Sequence, residues 1–161
     1  MNQNPLIIYE DQIERLDQAL TRLIKGAEAK CALLVDKDGY LITRQGFTHS
    51  LDTTALAALL AGSFASTKEI ARLVGEPEFS VLFHQGKKDH IHLTLVGERT
   101  ILAVIFDDRT TIGMIRLYAR EIGEDLVSIL SQSKKEKHKV VELGEGFTQS
   151  AENRLDDIFK D

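Results

Sequence analysis

His84, His90 and His92 are the side chains best suited to chemistry in this chain, because three imidazoles suffice to hold a zinc ion. His84 and His90 flank a turn at Gly86-Lys87, and His90 and His92 share one face of a strand that alternates with Ile91, Leu93 and Leu95. The same alternation describes the solvent side of an ordinary half-buried strand, so no metal is assigned. Asp36-Lys-Asp-Gly39 opens like a calcium loop, but the later ligands and the closing Glu are missing. Gly86-Lys87-Lys88 lacks the upstream glycine and the Ser or Thr of a phosphate-binding loop, and no serine sits in a nucleophile elbow. Cys31 stands alone in the apolar run Cys31-Ala-Leu-Leu-Val35, which predicts a buried, inert thiol and no disulfide. No active site and no cofactor are expected.

Charge and size exclude further classes. A net charge of −5 with 6% aromatic residues and no Trp gives no electrostatic footprint for nucleic acid. No apolar run reaches the length of a membrane span, and the first residues lack the basic start of a signal peptide. The expected location is cytoplasmic. At 161 residues the chain is long enough for one domain with its own core, plus a tail.

The hydrophobic period then gives the elements. Ile13, Leu16, Leu20, Leu23 and Ile24 predict a helix over 10–26 closed by Gly26. Strands are expected at 30–35 and 40–43 around the Asp-Gly turn, then at 79–84, 90–96 and 100–106. The last lacks polar alternation and should lie centrally, covered on both faces. Ile112, Ile115, Ala119, Ile122, Leu126, Ile129 and Leu130 mark a third helix. Short turns between consecutive strands imply an α+β fold, an α/β/α sandwich with a five-stranded antiparallel sheet and helices on both faces.

The middle helix, 52–74, has Asp52 as N-cap and Gly75 just past its end. Leu56, Leu59, Leu60, Ile70, Leu73 and Val74 fall on one side and are expected to bury against the sheet. The other side carries Thr54, Ala58, Ala61, Gly62, Ala65, Glu69 and Arg72, its first three turns small for a solvated face. It is either buried within the domain, an Ala-rich surface, or a docking face for a second copy or a partner. Beyond a domain at 1–133, residues 134–149 read as a flexible linker, and 150–161 as a short amphipathic helix with Leu155, Ile158 and Phe159 on one side. Such a helix is marginal alone, and either packs back on its own domain or folds on a partner; the partner is the reading preferred here.

Several segments in order resemble the Roadblock dynein-light-chain superfamily: Leu34-Val-Asp-Lys-Asp-Gly-Tyr-Leu-Ile42, Asp52-Thr-Thr-Ala-Leu-Ala-Ala-Leu-Leu-Ala-Gly62, Gly75-Glu-Pro-Glu-Phe79, Phe83-His-Gln-Gly86 and Val104-Ile-Phe-Asp-Asp-Arg-Thr-Thr-Ile-Gly113. The similarity runs from about Tyr9 to Leu130, and Leu155-Asp-Asp-Ile-Phe159 resembles the tail of bacterial members. The resemblance implies a homodimer joined edge to edge with its middle helices side by side. It also implies a partner, a small Ras-like GTPase of the MglA type, engaged by two chains and controlling polarity and motility, with concentration at a cell pole. The platform would be Thr54, Ala58, Ala61, Gly62, Ala65 and Glu69; Glu69 departs from the smaller residue common there. Activation would reposition the GTPase's own catalytic residues without an arginine finger from Arg44, Arg72, Arg99 or Arg109. Leu155, Ile158 and Phe159 would anchor the tail on the GTPase and promote exchange. A non-catalytic scaffold is the alternative. A small-molecule sensor would need a convergent polar pocket, and none is visible in the sequence.

Overall fold

A computed structural model describes residues 7–132. The first helix, α1 (Glu10–Ala27), starts where the Tyr9 backbone N–H donates to Gln12 Oε1 at 2.9 Å. Gly26 does not close it, contrary to the sequence expectation. The helix runs on to Ala27 and turns at Glu28, which takes a left-handed φ of 56°. Gly26 serves packing: a Cβ there would lie 2.3 Å from Cε1 of Tyr118.

Strands β1 (Cys31–Asp36) and β2 (Leu41–Gly46) form the predicted hairpin, with β2 extending three residues past its expected end at Thr43. The second helix, α2 (Thr53–Val74), is followed by β3 (Val81–Gln85), β4 (His90–Val96), β5 (Thr100–Phe106) and a third helix, α3, at residues 112–132. All strand pairs are antiparallel in the order β2-β1-β5-β4-β3, so α2 carries the chain from one edge of the sheet to the other. Every residue of β1 and β5 is buried, which explains the unbroken apolar runs Cys31–Val35 and Ile101–Phe106; the polar Asp36 and Thr100 stand where the two strands meet at one end.

The two faces are covered unequally. On one, α1 and α3 lay Leu16, Leu20, Leu23, Ile115 and Leu126 on Leu34, Leu102, Val104 and Phe106. Full burial of each such leucine is worth about 2–3 kcal/mol. On the other, α2 alone sets Ala57, Leu60 and Phe64 on Leu33, Val35, Leu93, Ile101 and Ala103. Leu82, Ile91 and Leu95, toward the β3 edge of that face, remain half-buried. At one end of the sheet Arg99 ties two turns together, with Nε donating to Asp36 Oδ1 and Nη2 to Asp38 Oδ2, both at 2.9 Å. Among the described residues no helix is long and apolar enough to cross a membrane.

Candidate partner-binding surface

The surface is built on α2. Asp52 caps its start, Oδ1 accepting from the Ala55 N–H at 3.0 Å, and Gly75 ends it with φ 80°, its N–H reaching the carbonyls of Ala71 and Arg72. The stripe facing the sheet is Thr53, Ala57, Leu60, Ala61, Phe64, Thr67 and Ala71. Two hydroxyls in it are satisfied locally: Thr67 Oγ1 donates to the Ser63 carbonyl at 2.9 Å, and Thr53 Oγ1 accepts from Arg44 Nη1 at 2.6 Å.

This corrects the expected core face. Of Leu56, Leu59, Leu60, Ile70, Leu73 and Val74, only Leu60 is buried; Leu56 is half-buried, and Leu59 and Leu73 are 70% and 71% exposed. Ile70 and Val74 are exposed as well. At about 100° per residue the apolar side chains of α2 cover far more than the arc one sheet can bury. The sheet takes the part lined by Ala57, Thr67 and Ala71, because small side chains let the helix approach closely. The bulky residues are left on a flank in water. The excess width of that arc was the signal in the sequence.

Thr54, Ala58, Gly62, Ala65 and Glu69 are exposed on the other flank and the back of the helix. Ala61 is not with them: it is 5% exposed and packs in the core, so it is unavailable to a partner from outside. Glu69 is held by Arg72, whose Nε donates to Glu69 Oε1 at 2.8 Å. The tail anchors Leu155, Ile158 and Phe159, and the linker at 134–149, lie outside the described residues.

The histidines do not converge. His84 pairs with Ile91 and so lies on the α2 face, whereas His90 and His92 lie on the α1–α3 face. Nor is that side of β4 open to solvent, as the alternation suggested: His92 is 2% exposed. Burial, then the nearby Arg116 charge, lower its pKa from 6.5 to about 4. His90 packs with tilted rings against Phe83 and Phe106, which stack on each other. The Cys31 thiol is buried, and desolvation pushes its pKa up to about 11.

A cleft of about 610 Å³ opens where β1 begins and β5 ends, lined by Ala29, Cys31, Phe47, Leu51 and Ile105. Its rim cations are committed: Lys30 Nζ lies 3.1 Å from Asp89 Oδ1, and Arg109 Nε 3.0 Å from Asp107 Oδ1. With Arg44 on Thr53, Arg72 on Glu69 and Arg99 on Asp36 and Asp38, each of the four arginines weighed as a finger is bound within its own chain.

The model of the Roadblock/LC7 domain family matches residues 15–106. Among solved structures the chain is similar to Myxococcus xanthus MglB, with 42% identity, 80% of this chain and 96% of that one covered, and a TM-score of 0.75. It is similar to the gliding protein MglB of Thermus thermophilus at 27% identity, covering 81% and 98%, TM-score 0.74. An MglB described with a tetrameric arrangement is 26% identical, with coverage of 81% and 98% and a TM-score of 0.76. No curated protein sequence matches the chain.

Proposed function

The chain belongs to the Roadblock/LC7 family, and from that membership we propose that it is a homodimeric activator of a small Ras-like GTPase of the MglA type. Its similarity to MglB proteins supports the choice of partner, and through it a role in bacterial polarity and motility. The observation that carries the reading is the pair of exposed flanks on α2. The bulky flank, Leu59, Ile70 and Leu73, continues the half-covered apolar face of β3 and β4, where a second copy can bury both. β3 is also an open sheet edge, with unpaired backbone groups ready for another strand. The small flank, Thr54, Ala58, Gly62 and Ala65 with Glu69, is left for the GTPase, whose backbone can approach closely over such side chains.

Activation proceeds by shifting the GTPase toward the arrangement in which its own catalytic groups are aligned, which requires only that this surface bind that arrangement more tightly. The commitment of Arg44, Arg72, Arg99 and Arg109 to partners within the chain supports a mechanism without a donated arginine. Leu155, Ile158 and Phe159 serve as a second contact that promotes exchange.

GTP turnover by a cognate GTPase, with and without this protein, tests the reading. Turnover should rise, and each of the four Arg→Ala variants should keep it within about threefold, against the roughly 10³–10⁵ that loss of a true finger costs. Ala65→Arg should remain folded and lose the effect. Binding without any change in turnover would refute activation and leave a scaffold.

A further inference from the structure

Most arginines of the domain have partners: Arg15 with Asp11, Arg22 with Asp125, Arg72 with Glu69, Arg99 with Asp36, Arg109 with Asp107. Arg116 and Arg120 differ. Among the described residues neither makes a hydrogen bond or an ion pair, and both are exposed on α3. They stand one helical turn apart on one flank, a spacing at which like charges destabilise a helix. That flank borders a groove of about 370 Å³ between α3 and β4, lined by Val96, Ala119, Gly123 and Val127 with Arg120 and Glu124 among its charged residues. Its floor is open: a Cβ on Gly123 would meet nothing within 4 Å, and Val127 is exposed. A trough that is mainly apolar, with two guanidiniums that make no ion pair along one flank and the single carboxylate of Glu124 a turn beyond Arg120, fits a short amphipathic helix that carries its acids toward Arg116 and Arg120.

The sequence at 150–161, outside the described residues, has that chemistry. At about 100° per residue a helix there sets Leu155, Ile158 and Phe159 within one arc. Glu152 and Asp156 fall beside Phe159, four positions apart, the separation of Arg116 and Arg120. Reach is not limiting. Residues 133–149 span up to about 56 Å when extended, whereas α3 from Ala119 to its described end at Gln132 measures about 20 Å.

We propose that residues 150–161 dock into the α3–β4 groove of the folded domain, Leu155, Ile158 and Phe159 on its floor and Glu152 and Asp156 on Arg116 and Arg120. The tether holds the tail at an effective concentration of order millimolar, so weak contacts suffice. The site lies across the sheet from α2, and the inference does not depend on the GTPase reading. If that reading also holds, the tail must leave the groove before it can grip the partner.

Hydrogen exchange on the full-length protein without any GTPase tests the docking. Amides of residues 153–160 should exchange at least about tenfold more slowly than in an unstructured peptide. The double change Arg116→Glu, Arg120→Glu should abolish that protection, and adding Glu152→Arg with Asp156→Arg should restore it. Leu155→Ala with Phe159→Ala should also remove it while domain amides stay protected. Under mild oxidation, Gly123→Cys with Ile158→Cys should form a disulfide, and Ser66→Cys on α2 with Ile158→Cys should not. Free-peptide exchange in the unaltered chain, protection that survives charge reversal, or failure of the Gly123 cross-link would each overturn the proposal.

Discussion

His92 should make this protein lose stability on mild acidification, before most carboxylates begin to titrate. The ring is 2% exposed, Nδ1 lies 3.2 Å from Thr94 Oγ1, and Nε2 has no partner among the described residues. Protonation would place a cation between β4 and α3 beside Arg116, so the folded-state pKa falls from 6.5 to about 4. The unfolded chain therefore binds a proton that the folded chain refuses between those values, and stability falls as pH drops through 6.5. The full effect is about 3 kcal/mol near pH 4, of which about 2 kcal/mol is already lost between about pH 7.5 and about pH 5. Urea unfolding followed by circular dichroism, at fixed protein concentration across that range, gives the curve. His92→Leu has similar volume and no titration, so its curve should be flatter by that same amount of about 2 kcal/mol. At neutral pH it should be no less stable than the parent, because it removes a buried nitrogen left without a partner. Parallel curves for parent and variant would refute the reasoning.

Gly26→Ala should fail to deliver the roughly 1 kcal/mol that alanine normally adds to a helix, because Tyr118 occupies its space. In a Tyr118→Ala background the same change should become stabilising, and thermal melts of the four proteins in that cycle would show it. Arg99→Ala should cost about 2–3 kcal/mol by stranding the buried Asp36 carboxylate, the partly exposed guanidinium keeping the loss below that of a fully buried pair. Denaturant midpoints for Arg99→Ala, Asp36→Asn and the double variant would measure the coupling. Cys31 should resist a thiol reagent in the native protein near neutral pH and react at once in denaturant, as its burial and raised pKa require.

The sheet, its hairpins and the apolar stripe of α3 were legible because each rests on a local rule: period two, a turn dipeptide, one stripe for one buried side. The orientation of α2 was not. Periodicity locates an apolar arc, but Leu59, Ile70 and Leu73 compete with Ala57, Thr67 and Ala71 for the sheet, and close approach decides the contest. The end of α1 was misread because Gly26 suits two roles, and only the position of Tyr118 distinguishes them. His92 looked like a surface residue since alternation marks opposite sides of a strand without saying what covers each. Of the candidate platform, Thr54, Ala58, Gly62, Ala65 and Glu69 are at the surface, whereas Ala61 belongs to the core.

The strand order sets a schedule for the ribosome. Strand β1 is translated early, yet its inner neighbour is β5, and Asp36 waits 64 residues for its register partner Thr100. At roughly 5–20 residues per second that delay lasts about 3–13 s. For that time the nascent chain holds α1 and the β1–β2 hairpin with one edge of Cys31-Ala-Leu-Leu-Val35 unpaired, an apolar segment lacking any charge to deter another strand. Output of this protein in crowded or slowly translating cells should therefore be governed by how well that edge is shielded until Thr100–Phe106 leaves the exit tunnel.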